Sequence, residues 1–228
     1  DLSWNSGVNT THDSSSKSVS FNTKQTLTLI PAFKNKDHSL MMMGRFELNS
    51  GSSTGQLEEK QGAASGITTT QGSGQITNMS SSYNQWRSMY FTASAHYAYK
   101  GRYIIDASLR DDGTTKFGPG NRWGYFPSVS LKWIISDEPW MKPTHKWLSM
   151  FAIRPSWGRV GNQPGQDYLY ASKYGSTNRY LDMMAMKPSN IRLTNMKWQI
   201  VQSWNGGIDI GLFNDRVNLT IEGYVQTT

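Results

Sequence analysis

Charged side chains of both signs recur at alternate positions within otherwise apolar runs: Lys24, Arg45, Glu47, Arg102, Asp106, Arg110, Lys132, Arg154, Asp209 and Glu222. Such a set can order water, hydrogen-bond a neighbouring polypeptide and present charge to a passing solute. A second set is aromatic. Tyr168, Tyr170, Tyr174 and Tyr180 fall in one polar stretch after Gly161, and phenol rings can stack on sugar rings or peptide side chains. Covalent chemistry is not indicated, because an enzyme needs a nucleophile, a base and a group that orients them. His12, His38, His96 and His145 stand alone, with no second ligand at metal spacing. The glycines of Gly72-Ser-Gly74 and Gly118-Pro-Gly120 lack the Gly-Lys-Ser/Thr ending of a phosphate loop. Asp111-Asp112-Gly113 lacks the acidic spacing of a calcium loop and reads as a turn that opens a connection. No catalytic residue, metal or cofactor is therefore assigned, and the chain is read as non-enzymatic.

The elements that must position these side chains are strands. Helical periodicity is almost absent, whereas alternation at period two recurs along the chain. Runs are expected at Ser20 to Phe33, His38 to Asn49, Trp86 to Tyr99, Arg102 to Arg110, Trp123 to Ile135, Leu148 to Val160, Trp198 to Leu212 and Arg216 to Val225, with Leu2 to Val8 as the tail of another. In the clearest, Met89, Phe91, Ala93, Ala95 and Tyr97 oppose Ser88, Thr92, Ser94 and His96. Lys100-Gly101 then makes a two-residue turn, its glycine supplying the positive φ such a turn requires. Pro155 sits inside a strand, where it removes a ladder donor and implies an edge, a bulge or a tolerated defect.

The connections alternate in length. Lys34-Asp37, Lys100-Gly101, Ser136-Lys146 and Phe213-Asp215 are short; residues 50–84, 111–122 and 161–196 are long and polar. A β-sandwich places turn signals every 8–12 residues without this alternation; outer-membrane barrels combine short periplasmic turns with long extracellular loops. Aromatic residues follow the same division, with Tyr97, Tyr99, Tyr103, Trp133, Trp140 and Trp147 beside short turns and Trp86, Trp123, Tyr125 and Trp157 near long loops, as interfacial girdles would. The fold class expected is all-β, an antiparallel transmembrane β-barrel segment. About eight strands with loops this long fit a slice of a larger barrel better than a closed eight-stranded one.

Composition agrees. No run approaches the roughly 20 apolar residues of a membrane helix, and a mean hydropathy of −0.58 is compatible with strands that show lipid only every second residue. The net charge of +7 comes from scattered basic residues, without the clusters that track phosphate backbones, so nucleic acid is not a partner. Cysteine is absent, which excludes disulfides and thiolate metal sites. On the polar parity, Arg45, Glu47, Asp106, Arg110, Arg154, Asp209 and Glu222 are expected to face a lumen, since Arg or Lys facing lipid at the midplane costs roughly 2–4 kcal/mol.

Four motifs in order carry a resemblance. Arg102-Tyr-Ile-Ile-Asp-Ala-Ser-Leu-Arg-Asp-Asp-Gly-Thr-Thr-Lys-Phe-Gly118 with Asn121-Arg-Trp-Gly-Tyr-Phe-Pro-Ser128 resembles the signature region of the SusC/RagA family of TonB-linked outer-membrane transporters. Trp133-Ile-Ile-Ser-Asp-Glu-Pro-Trp-Met141 resembles its next turn, and Ile153-Arg-Pro-Ser-Trp-Gly-Arg-Val-Gly-Asn-Gln163 its next strand. Met196-Lys-Trp198 with Gly207 to Thr220 resembles the hairpin that follows. The match covers about Tyr83 to Thr228; Asp1 to Ser82 belongs by topology alone.

The resemblance implies a bacterial outer-membrane barrel of about 22 strands with a plugged lumen, of which residues 1–228 are a partial wall and the plug is not in this chain. It also implies a SusD-like surface lipoprotein as lid, TonB as the energy source acting through parts of the protein outside this chain, contact with outer-membrane lipid, and oligosaccharide or peptide substrates. Tyr168, Tyr170, Tyr174 and Tyr180 would then be substrate-binding at the mouth. The rival reading is a soluble secreted all-β glycan-binding module, which would bury its apolar faces against each other.

Overall fold

The computed structural model describes residues 10–62, 74–180 and 183–228, with the backbone alone given for residues 176–180 and 184. The expected strand at Leu2 to Val8 lies outside the described residues. The described strands are β1 (Thr10–Leu29), β2 (His38–Gln61), β3 (Gln75–Tyr99), β4 (Tyr103–Thr114), β5 (Trp123–Ile134), β6 (Leu148–Asn162), β7 (Tyr174–Tyr180), β8 (Met183–Pro188), β9 (Gln199–Leu212) and β10 (Val217–Thr227). Eight of them form one sheet in the order β1-β2-β3-β4-β5-β6-β9-β10, and β7 and β8 form a separate hairpin. Each strand of the large sheet therefore neighbours the next in sequence, with β7–β8 inserted in one long connection. No helix among the described residues is long and apolar enough to cross a membrane.

The register shows how period two becomes two chemically distinct faces. Ala95, Ala107, Val129, Trp157, Trp204 and Val225 lie side by side across six strands. The next row along is His96, Asp106, Ser130, Ser156, Asn205 and Tyr224, and the row before is Ser94, Ser108, Ser128, Gly158, Ser203 and Gln226. Successive residues point to opposite faces, so one face is apolar and the other polar. The apolar face is exposed: Leu131 keeps 45% and Ile221 54% of its surface. Each such side chain left in water forgoes about 1.5–3 kcal/mol of burial, so this face is suited to an apolar surrounding.

Turn chemistry fits the short connections. Lys100 and Gly101 both take positive φ, 53° and 67°, the type I′ geometry that matches strand twist. Phe213, Asn214 and Asp215 all lie in the left-handed region at 55°, 57° and 60°, held by hydrogen bonds from the Phe213 N–H to the Trp147 carbonyl (2.8 Å) and from the Asp215 N–H to Ser149 Oγ (2.9 Å). The third short connection is two 3-10 turns, Ile135–Asp137 and Pro139–Lys146. Pro155 lies in a central strand opposite Gly206. The β5–β6 ladder is interrupted between Ser130↔Ser156 and Trp133↔Ile153 without a change of register, so of the three expected outcomes it is a tolerated defect.

The long connections are shorter than expected. Most of residues 50–84 is strand, because β2 runs on to Gln61 and β3 begins at Gln75. Its Gly/Ser/Thr-rich composition reads as loop, yet the glycines serve cross-strand packing: a Cβ at Gly51 would stand 2.7 Å from the Trp86 indole nitrogen and one at Gly55 2.7 Å from Ser82 Oγ. Asp111-Asp112-Gly113 is likewise strand, paired with Tyr125, Gly124 and Trp123, where the bare Gly113 accepts the Trp123 ring. The 161–196 stretch holds the β7–β8 hairpin. At 20, 24 and 25 residues, β1 to β3 exceed the roughly 9–11 residues a tilted transmembrane strand needs, whereas β4, β5 and β10 at 12, 12 and 11 match it. The described residues of Asp1–Phe21 and Asn49–Trp86 form one compact unit, and Asn22–Leu48 with Arg87–Thr228 form the other.

Candidate functional site

The polar face of the second unit gathers most of the charged residues expected there. Arg154 on β6 lies opposite Gly207 on β9, which in turn lies opposite Glu222 on β10. A Cβ on Gly207 would sit 3.3 Å from Arg154 Nη2, so the bare position lets the guanidinium lie across β9. There it meets Asp209 at 2.7 Å and Glu222 at 3.0 Å, while the Thr220 hydroxyl donates to Asp209 at 3.2 Å. One cation thus joins three strands. Farther across the face, Glu47 stands 3.7 Å from Lys24 and 3.8 Å from Arg45. His96 Nδ1 and Asp106 Oδ1 lie 2.6 Å apart on directly paired positions of β3 and β4. Arg110 is bonded to Asp112 and packed 4.9 Å over the Tyr90 ring. Between the charges runs a band of hydroxyls, including a Ser108–Ser128 contact of 2.7 Å. This is a solvated, charge-balanced surface suited to hydrogen-bonding water, peptide or sugar.

At the long-connection end, a small aromatic core closes the loops. Phe117 is fully buried and Phe126 6% exposed; Trp198 packs on both, with ring centroids 4.8 and 5.3 Å away. Gly124 and Gly161 accept the Phe126 ring, since a Cβ at Gly161 would lie 2.1 Å from its edge. Tyr168 and Tyr170 are half-buried. Lys173 Nζ sits 5.8 Å over the Tyr168 ring, and Tyr170 packs on Gly118 while its carbonyl accepts a bond from Arg192. Tyr174 is 62% exposed, and the Tyr180 side chain lies outside the described residues. The three tyrosines whose side chains are described are thus divided between loop packing, for Tyr168 and Tyr170, and an open surface, for Tyr174.

A cluster at the short-turn end escapes the parity reading. Arg102 does not face the polar surface of the sheet; it reaches into the 3-10 turn and pairs with Glu138 at 2.8 Å. The Tyr103 hydroxyl and the Trp133 indole N–H donate to the same carboxylate. Glu138 is buried, and its pKa is held below the ordinary glutamate value, chiefly by the Tyr103 hydrogen bond and further by Trp133 and Arg102. The signal was the Asp-Glu-Pro-Trp run, but the partners only become adjacent through the pairing of Tyr103 with Trp133.

The family described as TonB dependent receptor-like, beta-barrel, matches residues 1–228. The chain belongs to this family of TonB-dependent receptor β-barrels. It is 33% identical over 132 residues to TonB-dependent receptor P39 of Formosa agariphila, covering 58% of this chain and 13% of that protein. It is 33% identical over 141 residues to TonB-dependent receptor SusC of Bacteroides thetaiotaomicron, covering 58% of this chain and 14% of that one. The fold superimposes on the structure of the RagAB peptide transporter with a TM-score of 0.80 at 20% identity, over 94% of this chain and 24% of that chain. The SusC/RagA resemblance read from four motifs is thereby established, as is the antiparallel β-barrel fold, and the relatives are receptors rather than enzymes. The matched stretches of this TonB-dependent receptor barrel span about one seventh of the length of these curated relatives.

Proposed function

We propose that this chain forms part of the wall of a bacterial outer-membrane importer that takes up oligosaccharides or peptides with energy from TonB. The observation that carries the reading is the two-faced sheet: an exposed apolar face that calls for lipid, backed by an ion-paired, hydroxyl-rich face that suits a water-filled or plugged lumen. In this reading Arg45, Glu47, Asp106, Arg110, Arg154, Asp209 and Glu222 line the lumen and bond water and the plug. The short connections lie on the periplasmic side and the long ones outside the cell, where a SusD-like lipoprotein closes the mouth. In this reading Tyr174, exposed at the start of β7, stacks on a solute, while Tyr168 and Tyr170 shape the loop that precedes it. The RagAB peptide transporter, whose fold this chain shares, supports the peptide part of this substrate range.

The test is uptake of labelled oligosaccharides and peptides by cells with and without the intact gene. Uptake lost on deletion, and lost again when TonB is removed, supports the reading. Uptake that persists without TonB would indicate a passive pore instead.

A further inference from the structure

The short-turn end of the sheet carries a second surface. Its four turns are stitched into one rim: the Lys100 N–H donates to the Asp37 carbonyl (2.6 Å), Arg102 pairs with Glu138 (2.8 Å), and the Phe213 N–H donates to the Trp147 carbonyl (2.8 Å). Lys34, Lys36, Lys100, Lys142, Lys146 and Arg216 are all exposed along this rim, and none is within ion-pair distance of a carboxylate in the described structure. The acids there are the exposed Asp137 and Asp215 and the half-buried Asp37, fewer than the cations, while Glu138 is buried under Arg102. Exposed aromatic rings accompany these cations: Trp133, at 40%, ends the apolar parity of β5, and Trp147 at 51%, Phe213 at 56% and Trp140 at 62% stand on the turns themselves.

We infer that this rim is a seat for anionic phospholipid headgroups, with Trp140 and Trp147 at the glycerol level and Lys142 and Lys146 on the phosphates. The inference rests on the transmembrane reading above and adds a lipid preference to it. Two features single out this occupant. The apolar parity of β5 ends at Trp133, next in the chain to a turn bearing the exposed Trp140 and Trp147, an order of apolar strand then aromatic ring that an acyl-chain boundary would match. The unpaired cations at the belt's edge complement negative phosphate, whereas a zwitterionic surface would not require an excess of one sign. Arg102 is not a phosphate ligand here, because Glu138 already satisfies it; its part is to hold the 3-10 turn so that Trp140, Lys142 and Lys146 project.

The full-length transporter is placed in bilayers of phosphatidylethanolamine containing phosphatidylglycerol, with bromine on the acyl chains of one lipid or the other. The readout is the fluorescence quenching that disappears when Trp140 and Trp147 are both replaced by Phe. Brominated phosphatidylglycerol is expected to quench this component more strongly than its bulk share predicts. The preference should fall by about fivefold for each of Lys142→Gln and Lys146→Gln, the equivalent of about 1 kcal/mol per basic residue at an anionic surface. Both lysines are exposed, so the variants should fold, and quenching by brominated phosphatidylethanolamine should persist in them. Equal quenching by the two lipids would overturn the headgroup seat while leaving the membrane reading intact. Absence of quenching of the Trp140 and Trp147 component by either lipid would also overturn the seat, and absence of quenching of every tryptophan, Trp133 and Trp204 of the apolar face included, would remove the membrane reading itself.

Discussion

Gly161→Ala isolates the packing of the mouth. No positive φ is required at Gly161, so the backbone accepts alanine and only the new methyl matters. That methyl would sit 2.1 Å from Phe126 Cζ, 2.3 Å from Cε1 and 3.0 Å from Trp198 Cε3, where ordinary contact begins at 3.4 Å. The Phe126 ring must retreat by more than an ångström, yet it is 6% exposed and pinned edge-on to Trp198, which in turn packs on the fully buried Phe117. Overpacking of this kind costs about 1–3 kcal/mol. Phe126→Ala alone opens a cavity costing about 3–5 kcal/mol, but in the double variant the methyl enters vacated space. The two changes should therefore fall short of additivity by about 1–3 kcal/mol. The assay is urea unfolding of the intact protein in bilayers followed by tryptophan fluorescence, with Gly165→Ala as control because nothing lies within 4 Å of its Cβ. Equal stability of the Gly161→Ala and Gly165→Ala proteins, or strict additivity with Phe126→Ala, would refute the packing assigned to the mouth.

Further consequences follow from the same geometry. Arg154→Met should destabilise the intact barrel by about 1 kcal/mol, a modest value because the Arg154 side chain keeps 36% of its surface exposed and solvent screens the pair; Lys132→Met, outside the ion pairs of the described residues, should cost less in the same unfolding experiment. Glu138 is more acidic folded than unfolded, so its contribution is present above the ordinary glutamate pKa and is lost as pH falls through the lowered folded value. Unfolding midpoints measured from neutral to acid pH should lose that step in Glu138→Gln. At the left-handed turn, Asn214→Val should cost about 1–2 kcal/mol and Asn214→Gly should not, measured by thermal unfolding of the two variants.

What the sequence revealed is what period two and turn chemistry encode. Residues such as Ile105, Leu131 and Trp204 alternate with Asp106, Lys132 and Ser203, and a sheet with one apolar and one polar face forces that alternation. The Lys100-Gly101 turn announced itself for the same local reason. The outer halves of β2 and β3 were hidden because residues 50–61 and 75–84 lack an apolar parity; small polar side chains and glycines pair there without marking a face. Asp111-Asp112-Gly113 misled because turn-forming residues also serve a strand when Gly113 must admit the Trp123 ring. The Glu138 cluster depended on register rather than on sequence spacing. Tyr168 and Tyr170 could not be told from Tyr174 by type, since only the packing of Gly118 and Lys173 against them separates loop structure from open surface.

The two-faced wall is tested most directly by single cysteines at Val129, Ser130, Leu131 and Lys132 of β5, in a chain that has no cysteine of its own. Each is coupled to a polarity-sensitive fluorophore in the full-length protein reconstituted in bilayers. Emission should alternate along the strand, blue-shifted in lipid at Val129 and Leu131 and red-shifted at Ser130 and Lys132. Uniform emission at all four positions, or the opposite alternation, would contradict a wall with lipid on one side and a polar lumen on the other.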